Sequence, residues 1–308
     1  MIHYLEHKDI DKAKWDATVV ECGNIYARSW YLDIVHPGWE ALVEDGYFAV
    51  MPLTGGKKFG VSYLFQPYFA QQLGVFSKTA LTSEKTGEFL DAIPEKYRFA
   101  EIRMNESDTL DEVYKGIEYH RNVLLDLNQD YETVRERYHQ NTKRNLAKAE
   151  SGDLQLVDTV TPDQVVALFR DNRGASLEKW GDAEYARLTR LAQASIDHNN
   201  AFVLGVNEKG MGQLLCAAIF MRTDNRITFL FSGLSEEGKQ RQAMTYLLDQ
   251  VIKKHAKQPV TFDFEGSDDD NLARFYLGFG GAEARYPSFA FNRLSPVGKA
   301  LLKVWKKR

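Results

Sequence analysis

The stretch from Gln213 to Gly281 restricts the fold of this chain more than any other, because its hydrophobic period switches repeatedly. Two apolar runs, QLLCAAIFMR and RITFLFSGL, flank Thr223-Asp224-Asn225 and predict a hairpin of two buried strands. From about Gln240 to Lys257 the apolar residues Ala243, Met244, Leu247, Leu248 and Val251 fall at helical spacing. Val260, Phe262 and Phe264 then alternate with Thr261, Asp263 and Glu265, the pattern of a strand with unlike faces. A shorter helix, Leu272 to Leu277, ends at Gly278, Gly280 and Gly281, and a final strand covers about Ala284 to Asn292. Two antiparallel strands, a crossover helix, a strand, a helix and a strand make one compact α/β unit.

That unit uses less than half of the 308 residues, so there is room for a second domain with its own core. Tyr47 to Asp108 runs strand, turn (Thr54-Gly55-Gly56-Lys57), strand, strand-like segment, helix and strand, ending EIRMNESD. Phe202 to Asp268 repeats the order and ends FDFEGSD, which favours a tandem duplication over one long domain. Before the first half lie helices at Ile10 to Cys22 and Ala27 to Ile34, and a strand at Trp39 to Val43. Within it, Ser83 to Ile93 reads as a helix capped by Ser83, and Pro67 bends the aromatic segment YLFQPYFAQQLGVFS.

Between the halves, VLLDLN is a strand, and Asp130 starts one helix, YETVRERYHQNTKRNLAKAE, that stops at Ser151-Gly152. At helical spacing Arg137, Arg144 and Lys148 fall within roughly 40° of one another. Such a stripe reads either as a hold for a phosphate-bearing ligand or as a solvated face whose aliphatic stems cover apolar neighbours. Thr161-Pro162-Asp163 opens a helix running to Trp180, and Asp182 to His198 forms the second of a short pair. Ser295 to Arg308 reads as a basic C-terminal helix.

Composition narrows the functional classes. A net charge of −4 argues against a DNA-coating or membrane-coating protein, and no apolar run is long enough to span a bilayer. Cys22 and Cys216 are far apart with no metal-ligand spacing, which together with the charged N-terminus gives a cytoplasmic expectation. GxSxG, HExxH, paired CxxC and GxxxxGK[ST] are all absent, and no metal site is expected; His3 and His7 lack a third ligand.

The order of elements resembles the second half of a GNAT acyltransferase domain. The wording FDFEGSDDDNLARFYLGFGG and the run Thr142-Lys143-Arg144-Asn145-Leu146-Ala147-Lys148-Ala149 are closer still to the FemABX-like peptidyl- and acyltransferases. The resemblance implies an α/β (α+β) fold of two GNAT-like acyl-CoA N-acyltransferase domains in tandem. They divide as 1-122, the N-terminal domain, and 123-308, the C-terminal domain with the basic linker helix. It implies transfer of an acyl or aminoacyl group to an amine, on a small-molecule or peptidoglycan-precursor acceptor. No cofactor is required, with acyl-CoA a possible donor. Aminoacyl-tRNA is less supported as donor, because the helix pair at 163–198 is too short to extend into the tRNA-contacting arm of some members. The alternatives are an acetyl-CoA-dependent N-acetyltransferase of a small or sugar amine, and a non-catalytic ligand-binding protein on the same fold.

GNAT-type domains lay the donor pyrophosphate on backbone amides at the start of the helix after the central strand, here Ser232 to Ala243. This segment departs from the usual Gln/Arg-x-x-Gly-x-Gly/Ala: Glu236 and Glu237 repel phosphate, and Lys239 and Arg241 offset them. The expected donor and substrate contacts are Arg144, Lys148, Ser232, Lys239, Arg241 and Glu265. Asp263 is the expected amine base or orienter and Tyr276 the acid that protonates a leaving group. Tyr276 could equally stack on a ligand, and each carries a structural alternative: Asp263 and Glu265 as caps or partners of Arg274, Tyr276 as core.

Overall fold

The computed structural model describes residues 1–110, 114, 116–176, 180–296 and 298–299. The chain forms two compact units: Met1–His120 with the described part of Arg285–Arg308, and Arg121–Ala284. They differ from the expected division at 122/123 in that the chain from Arg285 on joins the first unit. The basic helix expected from Ser295 to Arg308 falls largely outside the described residues.

In chain order the elements of the first unit are β1 (Ile2–Leu5), α1 (Lys12–Glu21), α2 (Ser29–Val35), β2 (Glu40–Glu44), β3 (Ala49–Leu53), β4 (Gly55–Lys58), β5 (Val61–Phe65), β6 (Phe76–Ser77), α3 (Ser83–Asp91) and β7 (Tyr97–Arg103). Strands β1, β2, β3 and β6 form an antiparallel sheet in that order. Strand β4 pairs antiparallel with β5, and β5 runs parallel to β7. The expected turn at Thr54–Lys57 is instead strand β4. Gly55 and Gly56 mark close approach, since a Cβ there would meet the Tyr97 hydroxyl at 2.6 Å and the Tyr63 ring at 2.8 Å. The reversal comes at Phe59 and Gly60, both with positive φ. Helix α3 is capped by Thr82, whose side chain accepts from Lys85 N, and not by Ser83.

The second unit contributes β8 (Glu118–Asp126), α4 (Tyr131–Glu136), α5 (Gln140–Glu150), β9 (Leu154–Val157), α6 (Pro162–Arg170), α7 (Asp182–Asp197), β10 (Ala201–Glu208), β11 (Leu214–Arg222), β12 (Arg226–Leu234), α8 (Glu236–Gln240), α9 (Ala243–His255), β13 (Thr261–Asp263) and α10 (Asp270–Leu277). The closing strand β14 (Ala282–Asn292) pairs antiparallel with β7 through Ser288–Asn292. The sheet of the second unit has the order β8-β13-β12-β11-β10-β9, antiparallel except for β12 and β13. Helix α6 packs on β11 and β12, and α9 on β10 and β11. Strand β11 is accordingly buried along almost its whole length, and its LLCAAIFM run is apolar without alternation.

Two expected helices are divided. The single helix from Asp130 breaks into α4 and α5, because the chain turns extended at His139 (φ −62, ψ 151). There His139 N donates to Gly278 O, and the Tyr138 ring packs on Phe279 in the core. The break destroys the stripe: Arg137 bonds Gln129 and is out of phase with Arg144 and Lys148. The helix expected to reach Trp180 stops at Arg170 and is followed by a 3-10 turn, Arg173–Ser176. Its start is as expected, with Thr161 and Gln164 forming a capping box around Pro162.

Candidate functional site

Strand β12 holds the key to the site. It is nine residues long, yet β13 pairs only with its first part, Arg226 to Thr228 against Thr261 to Asp263. From Phe229 onward that edge of β12 has no strand partner among the described residues. The opening is a cavity of about 1070 Å³. It is walled by the free half of β12, the loop after β13, the starts of α8 and α9, α10, and the segment after α6.

A β-bulge shapes the floor. Ile219 lies opposite Phe231 and Phe220 opposite Phe229, so Leu230 is the extra residue in β12. The bulge reverses the side-chain alternation. Phe229 therefore packs with Phe220 and Tyr276, while Phe231 packs with Phe169 and Trp180.

Among the expected site residues, Ser232, Lys239, Glu265 and Tyr276 line this cavity together. Asp263 does not line it. It is 1% exposed, accepts from Arg226 Nη1 at 2.9 Å and from Glu265 N at 2.8 Å. The expected pairing with Arg274 is thus replaced by one with Arg226, and the cap of α10 is Asp269, which accepts from Asn271 N and Leu272 N. Asp263 and Glu265 do not share a strand face either, because β13 ends at Asp263 and Glu265 turns left-handed (φ 56). That turn, held by the Asp263 carboxylate, is what carries Glu265 to the cavity wall. Arg144 and Lys148 sit exposed on α5, away from the lining, with Arg144 bonded to Asn141.

Tyr276 is 7% exposed, with its ring stacked on Phe264 at 5.2 Å. Its hydroxyl makes no hydrogen bond among the described residues. Burial pushes the phenol well above its usual range; the Glu265 carboxylate adds to the shift and the Arg173 guanidinium opposes it. Tyr276 therefore keeps its proton beside a carboxylate and has a hydroxyl hydrogen to offer a ligand.

The expected donor loop, Ser232 to Ala243, contains a helix. Ser235 caps α8 by accepting from Gly238 N at 3.0 Å, and both cations nearby are engaged. Lys239 pairs with Glu236, and Arg241 pairs with Glu208 at 2.7 Å and Glu237 at 3.3 Å. Gly238 serves packing: a Cβ there would stand 2.2 Å from Leu215 O, so only glycine lets α8 lie on β11. The start of α8 is thus capped by its own serine and fringed by acids.

The start of α9 is the reverse. Gln242 precedes it in the left-handed region (φ 59) and gives no side-chain cap. The amides of Ala243, Met244 and Thr245 have no acceptor among the described residues. Gln242, Met244 and Thr245 all line the cavity. Thr245 is 2% exposed, and its hydroxyl has no hydrogen-bond partner among the described residues. Orphan amides at the positive end of a 13-residue helix, beside the Thr245 hydroxyl, are the kind of arrangement that suits a negatively charged group. Neither Thr245 nor the bulge at Leu230 emerged from the sequence. The one available signal was a polar residue inside the apolar stripe that opens α9. Among the described residues no group of His, Cys, Asp and Glu is arranged to hold a metal ion.

Residues 136–275 match the family described as an acetyltransferase (GNAT) domain. No curated protein matches the sequence. Among solved structures, FemX superposes with a TM-score of 0.66 at 12% identity, over 92% of this chain and 97% of that one. L-PGS from Bacillus licheniformis gives 0.56 at 13% identity, over 97% of each chain. A tandem GNAT protein from the clavulanic acid biosynthesis pathway gives 0.53 at 13% identity, over 96% of this chain and 99% of that one. The fold is thus that of the GNAT-superfamily acyltransferases, with a mixed α/β architecture around a mixed sheet.

Proposed function

We propose that this protein is an acyltransferase that moves an acyl or aminoacyl group onto an amine in the cavity beside β12. The observation that carries the reading is the pairing, in one cavity, of an uncapped helix start with a protonated Tyr276 next to Glu265. The α9 amides and Thr245 anchor the anionic part of the donor, as a CoA pyrophosphate or another phosphate would require. Lys239 and Arg241, already engaged by Glu236, Glu237 and Glu208, leave that role to α9.

In the reaction the acceptor nitrogen bonds to the donor's carbonyl carbon, and the bond from that carbon to the leaving sulfur or oxygen breaks. Glu265 takes the proton from the nitrogen, and Tyr276 gives its proton to the leaving atom. The proton on Glu265 then restores Tyr276, so the site returns to its starting state. Asp263 acts through Glu265: its bond to Glu265 N fixes the left-handed turn, which makes it a positioning residue. Arg144 and Lys148 are left to contact a large acceptor, such as a peptidoglycan precursor, from outside the cavity. The likeness to FemX over 92% of the chain favours this FemABX-like reading, with its tandem duplication, over a single N-acetyltransferase domain.

The test is transfer of label from acyl-CoA, or from aminoacyl-tRNA, to an amine or a UDP-linked peptidoglycan precursor. Tyr276→Phe should lower kcat by about 10²–10⁴ with donor binding intact. Donor binding without turnover in the unaltered protein across these pairs would favour the non-catalytic alternative.

A further inference from the structure

The donor reading leaves open what is transferred, and the lining of the cavity bears on that. The free edge of β12 runs from Phe229 to Leu234, about 17 Å of strand at about 3.3 Å per residue. Gln242, Met244 and Thr245 at the start of α9 line the same cavity. At the Phe229 end of that edge β12 and β13 come together at Thr228 and Asp263. The closed end is walled by rings, those of Phe229, Phe231, Phe264 and Tyr276, with Leu272 and Phe275 of α10 beside them. Phe231, Leu272 and Phe275 remain partly exposed within the cavity. The bulge at Leu230 matters here, because it sets Phe229 and Phe231 on opposite sides of the strand and so lines both flanks of the opening with rings.

We propose that this closed end is a chamber for an apolar acyl group longer than acetyl. An acetyl group leaves the partly exposed rings of Phe231 and Phe275 and the Leu272 side chain in contact with water, whereas a longer chain removes them from it. The Tyr276 hydroxyl, the Glu265 carboxylate and the Arg173 guanidinium are polar groups beside these rings, and they would face the carbonyl and the incoming amine. The chain beyond the carbonyl would lie against Phe231, Leu272 and Phe275. Each methylene buried should tighten binding roughly fourfold, before losses to imperfect fit.

This inference rests on the acyltransferase reading, but its test separates the two. S-acetyl- and S-hexanoyl-N-acetylcysteamine carry the thioester without the phosphate anchor, and their binding to the full chain is read by ligand-observed NMR. The hexanoyl thioester should bind at least ~10-fold more tightly than the acetyl one. Leu272→Trp, which fills the chamber, should bring that ratio to about unity with the acetyl affinity kept. Phe231→Leu, a milder change, should move the preference to a longer chain. Equal affinity for the two thioesters overturns the chamber, and so does a preference that Leu272→Trp and Phe231→Leu both leave untouched. Acetyl-CoA and hexanoyl-CoA form the second arm: a fragment preference without any binding of either CoA ester sustains the chamber and removes CoA as the anchored donor. Binding of both CoA esters with equal affinity keeps the anchor and overturns the chamber.

Discussion

Tyr276 keeps its proton because its surroundings penalise the phenolate twice: the ring is packed against Phe229 and Phe264, and Glu265 is already negative. Removing only the hydroxyl, in Tyr276→Phe, keeps that packing. Stability should stay within ~0.5 kcal/mol, because the hydroxyl has no partner to lose among the described residues, while turnover falls. A second residue prediction concerns Asp108 in the first unit. Its Oδ2 accepts from Asn105 N at 2.9 Å and Val75 N at 3.2 Å, but its Oδ1 is buried with no partner. Burial pushes its carboxyl up to about 8 from 3.8. The folded protein then holds a proton that the unfolded chain releases, so this contribution to stability is complete below about pH 4 and is lost as the pH rises to about 8. Chemical denaturation should show Asp108→Asn losing less stability than the parent between pH 5 and pH 9. At pH 9 the variant should be the more stable by about 1–3 kcal/mol. Parallel pH profiles for the two proteins would contradict this.

At the scale of elements, the proposed function divides the work between the two helices after β12. Helix α8 closes the wall, and it can lie on β11 only because residue 238 is glycine. Gly238→Ala should cost about 1–3 kcal/mol in chemical denaturation and weaken donor binding, because α8 must lift from Leu215 O. In the proposed function helix α9 supplies the anchor. Thr245→Val removes a hydroxyl without changing shape, so stability should be unchanged or raised, while affinity for an anionic donor falls by roughly tenfold. Strands β11 and β12 and the capped start of α6 were legible from the sequence because hydrophobic period and capping chemistry are local. The breaks were not. The Asp130 helix divides because His139 N meets Gly278 O, and the Ser232–Ala243 segment folds into α8 because Ser235 reaches Gly238 N. The first is a tertiary contact more than a hundred residues away, which no periodicity reports. The second is a short serine cap inside what read as a phosphate loop.

At the scale of the whole molecule, the sequence order of strand, turn, strand, strand, helix and strand in both halves is the basis for the proposed duplication. Each unit contains one parallel strand pair in an otherwise antiparallel set, β5 with β7 and β12 with β13. What the sequence left open was where the parallel strands part and what enters there. Asp263 illustrates the difficulty: a carboxylate alternating with phenylalanines on a strand reads as a base, yet its Arg226 partner lies 37 residues away in sequence and burial makes it a brace. Glu265, expected either as a substrate contact or as a structural cap, reaches the cavity only because its backbone turns left-handed. The most direct test of the account is the melting temperature of the full chain with acyl-CoA, CoA, aminoacyl-tRNA and a UDP-linked peptidoglycan precursor. It should be compared for the parent, Thr245→Val, and Lys239→Ala with Arg241→Ala. A ligand at ~100 times its Kd should add roughly 2.7 kcal/mol. The account predicts a stabilising donor whose effect shrinks in Thr245→Val and survives in the double variant. A shift that Lys239→Ala with Arg241→Ala abolishes and Thr245→Val leaves whole would contradict it.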